Sequence, residues 1–159
     1  KKVKFRYIKR PSTLGDGHSI LWAKSFVEPN EPFLVSMGDL LSFGGSPFMR
    51  QIIDIYEVHN SPVVSVEKVP LEATARFGVI ASKKSKGRLH WVSDIVEKPG
   101  PKLAPSRLIL TGKYVLTPDF FSILGKLVKN HKSGEVKLAD ALKIPIKEFG
   151  KKFLSGIDI

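Results

Sequence analysis

The sequence predicts an α/β sandwich on a mixed, mostly parallel sheet, with a β-hairpin insertion beside it. Three observations predict it. Strand-like and helix-like segments alternate along the chain. Several of the strand-like ones are continuous apolar runs of the kind buried on both faces. No internal repeat or low-complexity stretch interrupts the alternation. With 159 residues, 42% of them hydrophobic, the chain can bury one sizeable core, which suits a single domain.

Val3, Phe5 and Tyr7 alternate with basic residues and predict a half-buried strand that Pro11 closes. Behind the glycines of Leu14-Gly-Asp-Gly17, Ile20, Leu21, Ala23 and Val27 lie on or near one helical face and predict a helix. The run Phe33-Leu-Val-Ser-Met37, bounded by Pro32 and Gly38, predicts a strand buried on both faces, with Asp39 at its C-terminal end. Ser46 and Pro47 read as the N-cap and first-position proline of a helix that Phe48, Ile52, Ile53, Ile55 and Tyr56 carry to about Asn60.

Pro62-Val-Val-Ser-Val66 predicts the next buried strand. Residues 77–80 and 90–96 predict two strands joined by the Lys- and Gly-rich turn 82–87, the hairpin set beside the main sheet. Residues 108–116 predict another strand. Thr117, Pro118 and Asp119 supply a cap, a first-position proline and a first-turn acid for a helix whose apolar face is Phe120, Phe121, Leu124, Leu127 and Val128.

Composition narrows the chemistry. The chain has no cysteine, so a metal would need carboxylate oxygens or imidazoles, and His18, His59, His90 and His131 lack ligand spacing. That points to a hard ion such as Mg2+. No apolar run reaches the roughly 18 residues of a membrane-spanning helix. The basic start lacks the apolar segment of a signal peptide, so a cytoplasmic address with no membrane partner is expected. A net charge of +11 attracts phosphorylated small molecules, nucleic acid or anionic membrane alike. Nucleic acid is the less favoured partner, because the basic residues lack the interleaved aromatics on which single-stranded bases stack.

Three places could carry chemistry. Gly15 and Gly17 let a backbone approach a ligand closely, or simply form a turn before a helix. Asp39, at a strand end where α/β folds bind ligands, suits a Mg2+ ion shared with waters and phosphate oxygens, or a turn cap. Glu97 and Lys98 end a strand, and its alternation aims them opposite ways. The carboxylate could accept from sugar hydroxyls and the ammonium could hold a phosphate, or the two could be exposed and ion-paired.

Taken in order, LGDGHSILWA, EPFLVSMGDLL, MRQIIDIYE, PVVSVEKVP, RFGVI, DIVEKPGPKLAPSRL, GKYVLTPDFFSIL and GEVKLADAL resemble the bacterial UTP–glucose-1-phosphate uridylyltransferases, across nearly the whole chain. The resemblance implies a Rossmann-like nucleotidyltransferase fold and a uridylyl transfer from UTP to glucose 1-phosphate that releases pyrophosphate with Mg2+ present. It implies that Gly15 meets the nucleotide base and Asp39 coordinates Mg2+. Gly78 and Glu97 would meet the sugar and Lys98 its phosphate, with Asp39 and Lys98 as the catalytic pair. A homo-oligomer stays open.

Three departures qualify the resemblance. The family's N-terminal G-x-G-T-R loop and its following lysine are missing from residues 1–159. The chain is therefore expected to be a partial nucleotidyltransferase domain, its sugar-phosphate half, inactive alone. Arg10 stands where a base-reading glutamine is usual, which keeps a thymidylyl- or other sugar-1-phosphate nucleotidyltransferase in view. Leu154 stands where a late aspartate is usual. A non-catalytic basic module that binds nucleic acid is the alternative of a different class.

Overall fold

The computed structural model describes residues 2–9, 14–39, 47–149 and 155–158. Among these, six strands share one sheet: β1 (Phe33–Ser36), β2 (Val63–Lys68), β3 (Gly78–Lys86), β4 (Leu89–Glu97), β5 (Leu108–Leu116) and β6 (Ser155–Asp158). Their order is β1-β5-β2-β6-β4-β3. A further pairing of Val79 with Ile109 ties β3 back to β5, so five strands close into a small barrel and β1 stays outside as an edge. The helices are α1 (Asp16–Leu21), α2 (Phe48–His59), α3 (Gly100–Leu103), α4 (Asp119–Lys129) and α5 (Leu138–Phe149). None of the described helices is long and apolar enough to cross a membrane.

The fold is α/β with a mixed sheet, but the expectation of a mostly parallel one is corrected. Among the described residues only β2 and β6 run parallel, and the other pairings are antiparallel. A continuous apolar run reports burial on both faces, not strand direction. Val63 packs with Ile52 of α2, Val115 and Ile157 on one face. Val64 and Val66 pack with Ile80, Val92 and the apolar residues of α4 and α5 on the other. Helices covering both sides of antiparallel strands thus produce the same sequence pattern as a parallel sheet.

Other local expectations also change. The alternation at Val3, Phe5 and Tyr7 yields no strand: the side chains are 75%, 76% and 92% exposed, and no described sheet edge takes the segment up. Its recorded contact is the Arg6 guanidinium, 5.3 Å from the centre of the Phe26 ring. β1 is an edge strand with one side of each residue pair turned to solvent, not a strand buried on both faces, although Phe33 stacks on Phe121 at 4.7 Å. α1 stops at Leu21 and continues as a 3₁₀ turn, Trp22–Phe26. Pro47 occupies the N-cap of α2 instead of its first turn, while Ser46 lies outside the described residues.

The β3–β4 hairpin is integral to the barrel, not beside the sheet, because β4 also pairs with β6 and β3 with β5. Its ladder runs from Gly78 opposite Glu97 to Lys86 opposite Leu89, so lysines expected in a turn lie in strand. Exposed lysines leave a ladder intact, and only Gly87 and Arg88 remain to reverse the chain. α4 begins at Asp119 and buries Phe120, Phe121 and Leu124, in keeping with the apolar face and first-turn acid read from its sequence, but Pro118 occupies its N-cap instead of its first position and Thr117 precedes the cap. α5 has no counterpart in that reading. Pro145 sits inside it and interrupts the helical pattern, yet Leu138, Ala141, Leu142 and Ile146 bury against the barrel.

Candidate functional site

One cleft of about 470 Å³ opens where the loop before α1, the end of β1, the start of β3, the end of β4, the middle of β5 and the residues leading into α5 meet. It gathers the five residues to which the resemblance gives roles, Gly15, Asp39, Gly78, Glu97 and Lys98, while Gly17 does not line it.

The glycine loop is shaped by a distant segment. Gly15 has φ +96°, and a Cβ on either Gly15 or Gly17 would lie 2.8 Å from the Val136 carbonyl oxygen. No side chain fits there without moving backbone. The approach is hydrogen-bonded: Gly17 N donates to Val136 O (2.9 Å), Val136 N to Leu14 O (2.6 Å) and Leu138 N to Asp16 Oδ1 (2.8 Å). The glycines therefore serve the fold at this point. Gly15 also forms part of the cleft wall.

Asp39 lies exposed in the turn after β1, and a bulge in β5 positions that turn. The register of β2 against β5 jumps from Val64 opposite Tyr114 to Val66 opposite Leu110, which sets the three residues 111–113 against Ser65 alone, with Gly112 at φ +69°. The Gly112 carbonyl accepts from Met37 N at 2.9 Å, and the buried Lys113 ammonium donates to Met37 O at 3.1 Å. Bulges of this kind re-aim residues beside binding sites. Glycine inside a strand pattern was the available signal.

Gly78, Glu97 and Lys98 meet at the base of the hairpin. A Cβ on Gly78 would fall 3.2 Å from Glu97 Oε2 and 3.1 Å from Leu110 Cδ1, so glycine keeps the floor low under the carboxylate. Strand alternation aims Glu97 and Lys98 apart, yet both line the cleft. The reason is local. β4 ends at Glu97, and Lys98 takes a left-handed conformation (φ +46°) with its N–H donating to Phe77 O at 3.1 Å. A non-glycine residue held there is strained, a feature that clusters at binding sites.

The sequence reading missed several lining residues. Lys137 places its Nζ 3.4 Å from Glu97 Oε1. Tyr114 is buried beneath the cleft, and burial first, then the charges of Asp16 and Glu97, push its phenol above its ordinary value. Asp16, Arg76 and Glu135 complete the charged lining. Lys137 lay within GEVKLADAL, but nothing in that segment alone joins it to Glu97. Arg10 and Leu154 lie outside the described residues.

Among the described residues no group of three or more His, Asp or Glu side chains could by itself hold a metal ion. The donor set still fits Mg2+ on different terms. That ion keeps several waters and commonly takes one or two carboxylates plus substrate phosphates, and Asp39 is an accessible carboxylate in a cleft that also holds cations.

The sequence pattern of the nucleotidyl transferase family matches residues 1–153. The chain is 39% identical over 137 residues to the UTP–glucose-1-phosphate uridylyltransferase YngB of Bacillus subtilis (strain 168), covering 86% of this chain and 46% of that protein. It thus spans about half the length of the curated relatives it matches. Its fold superposes on a structure of UDP-glucose pyrophosphorylase complexed with UDP-glucose with a TM-score of 0.85 at 31% identity, covering 97% of this chain and 57% of that one. A UTP-bound UGPase from Acinetobacter baumannii gives a TM-score of 0.80 at 27% identity, covering 96% and 51%.

Proposed function

The chain belongs to the nucleotidyl transferase family, and on that premise we propose that it forms the sugar-phosphate half of an enzyme making UDP-glucose and pyrophosphate from UTP and glucose 1-phosphate. One observation carries this reading. Gly15, Asp39, Gly78 and the adjacent pair Glu97 and Lys98, from four separate stretches of the chain, converge on a single cleft lined with cations, carboxylates and bare backbone. The uridylyltransferase relatives and the pyrophosphorylase structures support the choice of substrates.

In this reading Gly15 gives the nucleotide base close access, the Gly78 backbone and Glu97 meet the sugar, and Lys98 holds the sugar phosphate as a point charge. An oxygen of that phosphate attacks the α-phosphorus of UTP. One P–O bond forms in line with the P–O bond that breaks, and pyrophosphate leaves with the electron pair. No covalent enzyme intermediate is needed, so the protein's task is positioning and charge neutralisation. Asp39 would hold Mg2+ with waters and phosphate oxygens, and the ion would supply positive charge that screens the phosphates from one another. Such charged substrates put the protein in the cytoplasm.

The test is turnover by the full-length gene product with UTP, glucose 1-phosphate and Mg2+, followed by pyrophosphate release and chromatography of the product. UDP-glucose is expected. Preference for dTTP would replace this reading with the thymidylyl alternative. Absence of any nucleotide sugar, together with steeply salt-dependent nucleic-acid binding, would replace it with a non-catalytic basic module.

A further inference from the structure

Glu97 meets one cation on one side and bare backbone on the other. Its Oε1 lies 3.4 Å from Lys137 Nζ, with the two side chains 27% and 35% exposed respectively. Its Oε2 lies over Gly78, 3.2 Å from where a Cβ would stand. Lys137 in turn sits between two residues fixed to the glycine loop. Val136 exchanges backbone hydrogen bonds with Leu14 and Gly17, and Leu138 N donates to the Asp16 carboxylate at 2.8 Å. The ammonium therefore reaches Glu97 from an anchored stretch of backbone.

A carboxylate that receives two sugar hydroxyls must present its acceptor oxygens in one orientation. It has no donor of its own with which to fix itself. A free glutamate side chain loses rotamer freedom on binding, and a neighbour that fixes it beforehand removes that loss from the binding step. One lysine hydrogen bond on Oε1 leaves lone pairs on both oxygens for hydroxyl donors. The pair is partly exposed, so its direct contribution to folding is small. Its value lies in orientation.

We propose that Lys137 is a positioning residue for sugar recognition, holding the Glu97 carboxylate in the orientation that receives the sugar hydroxyls. The inference rests on reading the cleft as a nucleotide-sugar site, and it assigns Lys137 no contact with the reacting phosphates.

The experiment is calorimetric titration of the full-length gene product with UDP-glucose and, separately, with UDP, which lacks the sugar. Lys137→Ala and Lys137→Met are expected to bind UDP-glucose about tenfold more weakly while binding UDP as the unsubstituted protein does. Lys137→Arg, which keeps a donor cation, is expected to recover most of the difference. Melting temperatures close to that of the unsubstituted protein would show that the variants fold. Equal affinity of Lys137→Met and the unsubstituted protein for UDP-glucose overturns the inference and leaves the site reading intact. Loss shared equally by UDP and UDP-glucose also overturns it, because Lys137 would then be a phosphate contact. If the unsubstituted protein binds neither ligand, the site reading and the inference fall together.

Discussion

Gly17 faces the Val136 carbonyl at a separation no side chain tolerates, 2.8 Å from its would-be Cβ. The obstacle is backbone already committed to hydrogen bonds, so Gly17→Ala must push two chain segments apart. A destabilisation of about 1–3 kcal/mol follows, typical of forcing extra volume into a packed site, and urea denaturation measures it. Asp39 is the opposite case. It is exposed in its turn, so Asp39→Asn is expected to leave stability within about 0.5 kcal/mol. In the complete enzyme the same change should lower Mg2+-dependent turnover by about 100-fold or more. Turnover unchanged at saturating Mg2+ would remove Asp39 from the metal site. These residues differ in how far the sequence could explain them. The need for glycine at Gly15 and Gly17 was legible, but its cause was not, because the segment that presses on them closes the Asp16–Leu138 bond 122 positions away.

At the scale of elements, the bulge in β5 does most to set the cleft. Ser65 is fully buried beneath it, and its hydroxyl makes three bonds: it donates to Lys113 O (3.0 Å) and accepts from Lys113 N (3.2 Å) and Thr111 Oγ1 (2.6 Å). That uses the one donor and two acceptor positions a hydroxyl has. Ser65→Ala removes all three of these bonds at a buried position. It is expected to cost about 1–3 kcal/mol. It should also loosen the turn of Asp39, which hangs from Gly112 and Lys113 through Met37. Denaturation and the KM for UTP in the complete enzyme report the two effects separately. Most elements were readable in outline, since β2, β5, α2 and α4 carry strong apolar patterns. Strand direction was not, because a period of two is the same whichever way the neighbour runs. Nor was the fate of residues 2–9 readable, because alternation describes a face without supplying an element to cover it.

The whole molecule joins its two sides through one sheet, with α2 packed on one face and α1, α4 and α5 on the other. The resemblance made the family legible because ordered motifs survive while the sheet that holds them is hidden. Closure of the barrel was not legible, since it depends on pairings such as Val79 with Ile109 that leave no periodic mark. Tyr114 links this core to the cleft, being 6% exposed within the main cluster and also part of the cleft wall. Burial and the nearby charges of Asp16 and Glu97 all raise its pKa above the value of about 10 expected in the unfolded chain. Below pH 10 the phenol is neutral in both states, and its contribution is fully present. Above pH 10 the unfolded chain ionises while the folded protein keeps its proton, so the unfolded state binds fewer protons and stability falls. The slope approaches about 1.4 kcal/mol per pH unit until the folded phenol itself titrates. Urea denaturation of the protein and of Tyr114→Phe between pH 8 and pH 10.5 isolates this effect from other alkaline titrations. The stability difference between them should hold steady up to about pH 9.5 and then move against the tyrosine form. Parallel curves across the whole range would mean that the phenol ionises as freely in the fold as out of it, and that the cleft floor is open to water.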